Sequence, residues 1–588
     1  QLLTSDVEIN VEILPGFDGE ELEAWDGEET SEPTFDETTK TYFISHASEL
    51  AWIAAQVNNG NDLKDYTVKL EVDINLNDKQ WAPIGTEDDP FLGVFDGNNN
   101  TIKNLTIVET EAKEGKAFIG LFGYAKDVTI KNVTFENVNL NIACLDIDHS
   151  QGHIGAVAGS LEGTSTIENV TVKGDIKVEA TFDANGASRV AVVAGGNSYG
   201  NVTMKNVHVI ANEGSYLKAN NNVGALAGQL QGKNVFENCS SNIDVTGKKF
   251  FAGGIIGIAA GDSKFTDCHT TGDITITAGR EGRANDHYRV GGIAGGWADN
   301  VTTPCVLTGC SYTGEISGTN ADGSVASPLD YLGYVGRGYT LANRAGSKVI
   351  IDGITFVQKY NDKYGIYDVI DENGNIVVMT EADLADVFAN GGNAILFGDL
   401  ELNSVYTLAS GKTLVLDLNG KNISSTSTAT GTNYNLFDVR GNLTVKNGTI
   451  EIEHTGTNMG WGNSTNVFNV TAGGVLNIVD AEVNNLGGSD MGFVAHLNNW
   501  GEVTLNVENS VLTSNYVAVR VFNSGNDMNN VTIKNTTLKG ANYAFWVHNY
   551  TVADFGTQEK ADAQKALLNF DIFGNGNTFV AAKAPVRY

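Results

Sequence analysis

Two motifs recur along this chain and interleave, and together they constrain its fold more than any other feature. The first is a glycine-bracketed apolar box: IGLFG at 119–123, IGAVAG at 154–159, VAVVAG at 190–195, VGALAG at 223–228, GGIIG at 253–257 and VGGIAG at 290–295, with a weaker LGYVG at 332–336. The closing glycines, Gly123, Gly159, Gly195, Gly228, Gly257 and Gly295, are 36, 36, 33, 29 and 38 residues apart. A bounded but irregular period of this size is what one structural repeat with variable loops produces. The second motif reads IKNLTI at 102–107, IKNVTF at 130–135, IENVTV at 167–172, MKNVHV at 204–209, FENCSS at 236–241 and FTDCHT at 265–270. It places Asn104, Asn132, Asn169, Asn206, Asn238 and Asp267 at one equivalent position. A short amide tolerates positive φ and can hydrogen-bond its own copy in the next repeat, so these residues are expected to form a ladder of buried turn amides. The residue that follows, Leu105, Val133, Val170, Val207, Cys239 or Cys268, is apolar and is expected in the core.

The downstream half keeps the second motif and drops the glycine box. LTVKNGTI (443–450), LNIVDAEV (476–483), LNVENSVL (505–512) and VTIKNTTL (531–538) place Asn447, Asp480, Asn509 and Asn535 at the ladder position. Short alternating strands between turn residues exclude a helical repeat protein. Each half opens on an amphipathic helix. Ser48–Val57 puts Leu50, Ile53, Ala54 and Val57 on one face with Ser48 as N-cap, and Thr380–Phe388 approximates a capping box through Thr380 and Asp383. A short helix over the first strands would hide an edge that otherwise templates aggregation. The expected fold is therefore all-β: a right-handed parallel β-helix in two segments in series, each opened by a capping helix. The expected boundaries are an acidic extension at 1–24, a first segment at 25–357 and a second at 358–588.

Composition narrows the function. With 71 acidic against 37 basic residues the formal charge is −34, which disfavours any phosphate-backbone partner, so no nucleic-acid binding is expected. Gly at 68 and Pro at 7 fit many short strands joined by tight turns. No apolar run is long enough to span a bilayer, and Gly253–Gly261 is short and broken by glycine. Calcium is the one ion the carboxylates invite, but no loop matches a calcium-binding pattern, so no cofactor is expected. Five cysteines are too few for a disulfide scaffold. Cys239, Cys268 and Cys310 fall at or near the post-ladder position, where they either bridge neighbouring repeats or replace valine as small core residues.

The GLFG, GAVAG, GALAG and GGIAG boxes resemble the GLUG repeat of bacterial surface adhesin-like proteins. AWDG at 24–27, ISHASELAWIA at 44–54 and WAPIG…FLGVFDGNNNTIKNLTI at 81–107 are similar to large surface lipoproteins of Bacteroides-type bacteria. This resemblance covers roughly 24–340. Residues 380–588, with LVLDLNGKNI at 414–423, resemble the pectate-lyase type of right-handed β-helix. The resemblance implies a cell-surface or secreted location and a monomer, with a lipid anchor upstream as one route of attachment. It carries no catalytic residue set.

One constellation invites a ligand. In FDVR (437–440), VAHL (494–497), VAVRVF (517–522) and FWVH (545–548), strand alternation sends Phe437, Val439, Ala495, Val519, Phe545 and Val547 inward and Asp438, Arg440, His496, Arg520, Trp546 and His548 outward. Stacked repeats would align the outward set as a polar-aromatic stripe, flanked by Trp461 and Trp500 on turns. Aromatic faces with Arg and His edges suit sugar rings; the alternative is an ordinary solvated face. Asp146, Asp148, His149 and His153 form a second cluster that is either a metal site or an exposed polar turn. The expected function is a surface adhesin-like protein that binds a glycan or another host or matrix polymer. The alternatives are a polysaccharide lyase or glycoside hydrolase, with His496 near Arg520 as the acid–base neighbourhood, or a structural spacer.

Overall fold

The computed structural model describes residues 24–588 apart from 114–115, 145–151, 183–187, 249, 260–261, 278–289, 298–304, 319–332, 337–347, 362–365, 372, 457–463, 488–490 and 550. The extension at 1–23, Asp146, Asp148, His149 and Trp461 therefore lie outside the described residues, as does the side chain of Cys144. The chain is all-β, with strands joined chiefly into long parallel sheets and only short helices. It divides into two compact units, Gln1–Gly353 and Ile354–Tyr588.

In the first unit each repeat lays one strand on its predecessor in the same sheet, in parallel. Thr129–Lys131, Thr166–Glu168, Met204–Lys205, Phe236–Glu237 and Phe265–Thr266 stack in one such series. Two further series run through the glycine boxes. Gly152–Ile154, Ser188–Val190, Asn222–Gly224 and Ala252–Gly253 precede the box centres, and Ala158–Glu162, Ala194–Gly196, Ala227–Leu230 and Ile256–Ala259 follow them. The second unit has three parallel series too. One of them, a seven-stranded sheet, runs from Tyr406–Leu408 through Tyr434–Val439, Thr465–Val470, Gly492–Asn498, Val517–Phe522 and Tyr543–His548 to Ala584–Arg587.

The ladder residues have the conformation their sequence position implies. Asn132, Asn169, Asn206 and Asn238 have φ of 54°, 55°, 52° and 49°, and Asn447, Asp480, Asn509 and Asn535 lie between 48° and 61°. A left-handed residue between two extended ones bends the chain and keeps the following side chain in the core: Val133, Val170 and Val207 are buried. The amides bond across repeats, Asn169 Nδ2 donating to Asn132 Oδ1 (3.0 Å), Asn206 to Asn169 (2.9 Å) and Asn238 to Asn206 (2.8 Å). Two details differ from expectation. The ladder lies at the surface rather than buried, since Asn169 is exposed and Asn206 half-buried. Asn104 also does not share it. Asn132 donates instead to Asp96 Oδ1 (3.1 Å), while Asn104 donates to Asn75 Oδ1 (2.9 Å) and accepts from Asn137 (3.2 Å). Register explains this: Thr101 pairs with Thr134, so the partner of Asn104 is the second left-handed residue of that repeat, Asn137.

The box glycines answer a different need. A Cβ built on Gly159 would lie 2.7 Å from the carbonyl oxygen of Gly123; on Gly195, 2.6 Å from Gly159 O; on Gly228, 2.7 Å from Gly195 O; and on Gly257, 2.6 Å from Gly228 O. Each closing glycine thus rests on the carbonyl of the closing glycine before it, leaving no room for a side chain.

The two expected helices run over Ala47–Asn58 and Glu381–Asn390, and two further short ones over Val552–Phe555 and Gln558–Lys565. The first buries Leu50, Ile53, Ala54 and Val57, the face the periodicity picks out, but its N-cap is His46. Ser48 lies inside the first turn, its hydroxyl 2.6 Å from that of Ser31. The second has the expected box, Thr380 N donating to Asp383 Oδ2 (2.9 Å) and Asp383 N to Thr380 Oγ1 (3.2 Å). Its Phe388 stacks on Phe437 at 5.1 Å, which stacks on Phe468 at 5.5 Å, so the helix continues the core column of the strands.

Two substitutions separate these causes. Asn169→Gly keeps the left-handed backbone, whereas Asn169→Val opposes it, so the valine variant should be the less stable by about 1–2 kcal/mol in denaturant unfolding. Gly195→Ala should cost about 1–3 kcal/mol through overpacking. Equal stabilities for the first pair, or an unchanged midpoint for the second, would contradict the assigned roles.

Candidate functional site

The seven-stranded sheet of the second unit brings most of the expected stripe together. Thr407, Asp438, Asn469, His496, Arg520, Trp546 and Arg587 share one register row, one residue per strand. Asp438, His496, Arg520 and Trp546 thus fall into line. His548 stands two residues further along, in the row of Asn498 and Phe522. Arg440 lies beyond its strand, exposed, with Nε 2.7 Å from Asp438 Oδ2. The residues expected inward, Phe437, Val439, Ala495, Val519, Phe545 and Val547, are all buried.

The stripe is nevertheless not presented to solvent as expected. Arg520 is 6% exposed and Trp546 2%. The cause is an interruption of strand alternation. Val494 and Ala495, Ala518 and Val519, and Ala544 and Phe545 are consecutive residues that both face the main core. This moves Phe493 and Val517 to the opposite face, where they join Met491 and Trp546 in a second apolar cluster lined by Tyr516 and Tyr543. Arg520 threads through that cluster. Its guanidinium lies 5.1 Å from the Phe493 ring, 4.9 Å from Phe522 and 5.2 Å from Trp546, and Nη2 is 2.8 Å from His548 Nδ1. Trp546 also lies against Arg587, 4.7 Å from its ring, and the stacked His548 imidazole at 4.9 Å. Aromatic faces here take the place of a carboxylate partner. Trp546 is therefore enclosed by cations and an imidazole and is not a free platform for a sugar ring. Trp500 is 63% exposed on its turn.

Burial holds the Arg520 guanidinium near 10, so it remains a cation at neutral pH. Burial, and secondarily the Arg520 charge, holds His496 near 3 and His548 near 4. Both imidazoles are neutral at neutral pH, and His548 Nδ1 can accept from Arg520. With pKa values this far from neutrality, none of the three groups is matched to proton transfer near pH 7. The His496–Arg520 neighbourhood is suited to holding structure rather than to moving protons.

In the first unit, His153 and Ser160 flank one glycine box and meet across it. His153 Nδ1 is 3.1 Å from Ser160 Oγ, which donates to Glu162 Oε1 at 2.9 Å; Glu162 also accepts from Ser198 N (2.8 Å) and Tyr199 N (2.9 Å). A nucleophilic serine gives its proton to the imidazole. Here the serine proton goes to the carboxylate, and all three side chains are buried. Burial pushes His153 well below its ordinary pKa. Among the described residues no three His, Cys, Asp or Glu side chains converge as metal ligands. Cys239, Cys268, Cys305 and Cys310 are buried free thiols; Cys239 donates to Met204 O (3.5 Å) and Cys268 to Phe236 O (3.7 Å), the behaviour of small core residues.

A second outer-face row was not read from the sequence. Thr101, Thr134, Thr171, His208, Ser240, His269 and Ser311 stand in register on seven successive strands. The signal was available, because each lies two residues after a ladder residue or its register equivalent: IKNVTF, IENVTV, MKNVHV, FENCSS and FTDCHT all carry Thr, His or Ser there. Between this row and the ladder runs a groove of about 300 Å³, bordered by Asn132, Asn169, Asn206, Thr134, Thr171 and His208.

No protein-family model matches the chain, and no curated protein matches it. Among solved structures, a Bacteroides ovatus protein proposed to be an immunoglobulin A1 protease aligns at 18% identity and a TM-score of 0.34, over 51% of this chain and 83% of its own. A likeness of that size carries no argument about fold or function.

The enclosed cluster has consequences for stability. Trp546→Ala should destabilise the protein by about 3–5 kcal/mol, as large core truncations do. The folded pKa values of His496 and His548, near 3 and 4, lie below the unfolded value of about 6.5. Their contribution is thus complete above about pH 6.5 and is lost as pH falls toward 4 and then 3. A His496→Asn, His548→Gln variant should show a shallower fall in melting temperature between pH 6.5 and 4 than the parent. A melting temperature unmoved by Trp546→Ala, or identical acid slopes, would mean that the cluster is not enclosed.

Proposed function

We propose that the chain is an extracytoplasmic, adhesin-like surface protein, that its two units are right-handed parallel β-helices, and that its outer faces bind an extended glycan or matrix polymer. One observation carries this reading: polar side chains recur in register, one per strand, over seven successive strands of the first unit. A row at strand spacing offers the same contact again and again along one line, which suits a polymer better than a compact ligand. The parallel stacking of each repeat on the last in three series supports the helical description. No helix among the described residues is long and apolar enough to cross a membrane. The lyase or hydrolase reading has no comparable support, since its one acid–base neighbourhood is neutral His496 beside an enclosed Arg520.

Incubation of the intact protein with a mixed polysaccharide panel, read for bound material, new reducing ends and unsaturated uronate absorbance, tests the proposal. Binding without turnover is expected. New reducing ends or unsaturated products would replace it with the enzyme reading, and neither binding nor turnover would leave the spacer.

A further inference from the structure

The strip between the asparagine ladder and the Thr134–Thr171–His208 row differs electrostatically from the rest of the protein. The chain carries −34, yet the groove is bordered by amides, hydroxyls, one imidazole and Val133, with no charged side chain among them. Burial lowers the His208 pKa, so that imidazole is neutral at neutral pH. The rows on either side are charged but cancel. On one side Asp96, Lys131, Glu168, Lys205 and Glu237 follow one another in register with alternating sign, and Lys131–Asp96 (3.6 Å) and Lys205–Glu237 (4.0 Å) are paired. On the other, Lys103, Glu136 and Lys173 alternate likewise, with Lys173–Glu136 at 3.5 Å. The strip is thus a neutral track between two self-neutralising borders.

Its hydrogen-bonding capacity is repetitive. Each ladder amide spends one N–H on the Oδ1 of the preceding repeat, which leaves one N–H and one oxygen lone pair per repeat for a ligand. Thr134 and Thr171 add a hydroxyl per strand beside them. His208 Nδ1 is engaged by Ser240 Oγ at 2.8 Å, and His269 Nδ1 by Ser311 Oγ at 2.8 Å, so the row continues as fixed hydroxyl–imidazole pairs. Six strand spacings of about 4.8 Å give the row a length of roughly 29 Å.

We infer that this strip is the binding track for an uncharged, linear, hydroxyl-rich glycan lying along the stack. The inference rests on the proposed polymer-binding reading and narrows it to one face and one ligand class. Polyanionic chains meet the repulsion of the net charge, and nothing in the strip offsets it. Polycations would be drawn to the carboxylates, which lie outside the strip.

The test uses the intact chain, with cello-, xylo- and manno-oligosaccharides as neutral probes and polygalacturonate and heparin as anionic ones. Two variants are compared with the parent: Thr134→Val/Thr171→Val, which removes hydroxyls at constant shape, and Thr171→Arg, which blocks the groove; melting temperatures confirm that each is folded. The parent should bind at least one neutral probe and neither polyanion. Thr171→Arg should weaken that binding at least tenfold, and the double valine variant should weaken it too. Neutral binding equal in the parent and both folded variants, or selective binding of a polyanion, would overturn the track while leaving the surface-binding proposal in place. Parent protein that binds none of these probes, on a wider panel that shows glycan binding elsewhere, would also overturn the track. No glycan binding on any panel would overturn both.

Discussion

The structure depends on one recurring backbone position, the ladder residue of each repeat, held at positive φ. Side chains on a strand alternate between faces, so one residue of slip would exchange core and surface along a whole strand. The left-handed residue resets that alternation at a defined place, as at Asn169, where Glu168 and Asn169 both reach the surface before Val170 turns inward. Because its amide also bonds the equivalent residue in the repeat before, a slip in one repeat would break a bond to its neighbour. The glycine column imposes a second condition at the opposite end of the repeat, where only a missing side chain lets Gly195 rest on the Gly159 carbonyl. With both points fixed, the strands that carry the ladder stay in register from one repeat to the next, and the rows on which the functional reading rests follow from that.

Register has an electrostatic cost that the sequence manages in two ways. A row of like charges at strand spacing would repel at every step. In the first unit the rows alternate in sign, from Asp96 and Lys131 to Glu168 and Lys205. In the second unit Asp417, Lys446, Val479, Glu508 and Lys534 share one row, so opposite charges are neighbours on either side of an uncharged valine, with Lys446 Nζ 3.0 Å from Asp417. Individually such exposed pairs contribute little; their role is to avoid repulsion. The second solution is the enclosed row, in which Arg520 and Arg587 are separated by the Trp546 ring and the neighbouring histidines stay neutral. The first keeps a surface open to ligands. The second closes it.

The repeat positions, the all-β class, the buried face of the first helix and the capping box of the second were legible because each depends on local pattern. Every residue that the IKNVTF-type motif marks has positive φ, and Val133, Val170 and Val207 are buried as their spacing requires. What was not legible depends on pairing. The motif makes Asn104 and Asn132 look equivalent, yet Asn104 pairs with Asn137, because only the register with Thr134 decides which repeat lies beneath. Alternation aligned Asp438, His496, Arg520 and Trp546 correctly but left Arg520 and Trp546 in solvent, since the paired inward residues Ala518–Val519 and Ala544–Phe545 break the alternation without any turn residue to announce it. The Thr134–Thr171–His208 row was visible in the motif, but an unremarkable threonine acquires meaning only when its copies are known to stand in line.

The central claim is that the ladder residues are equivalent points on successive repeats. Asn169 and Asn206 are 37 residues apart in sequence and directly hydrogen-bonded in space. Removing residues 170–206 would join Asn169 to Val207 and delete one complete repeat, whereas removing only 170–188, about half a repeat, would join Asn169 to Arg189 and put a strand of the glycine-box series where a ladder strand belongs. The account predicts that the first variant is soluble, keeps the β-type far-ultraviolet spectrum and unfolds cooperatively, and that the half-repeat deletion does not. Failure of the in-register deletion to fold, or equal tolerance of both deletions, would contradict it.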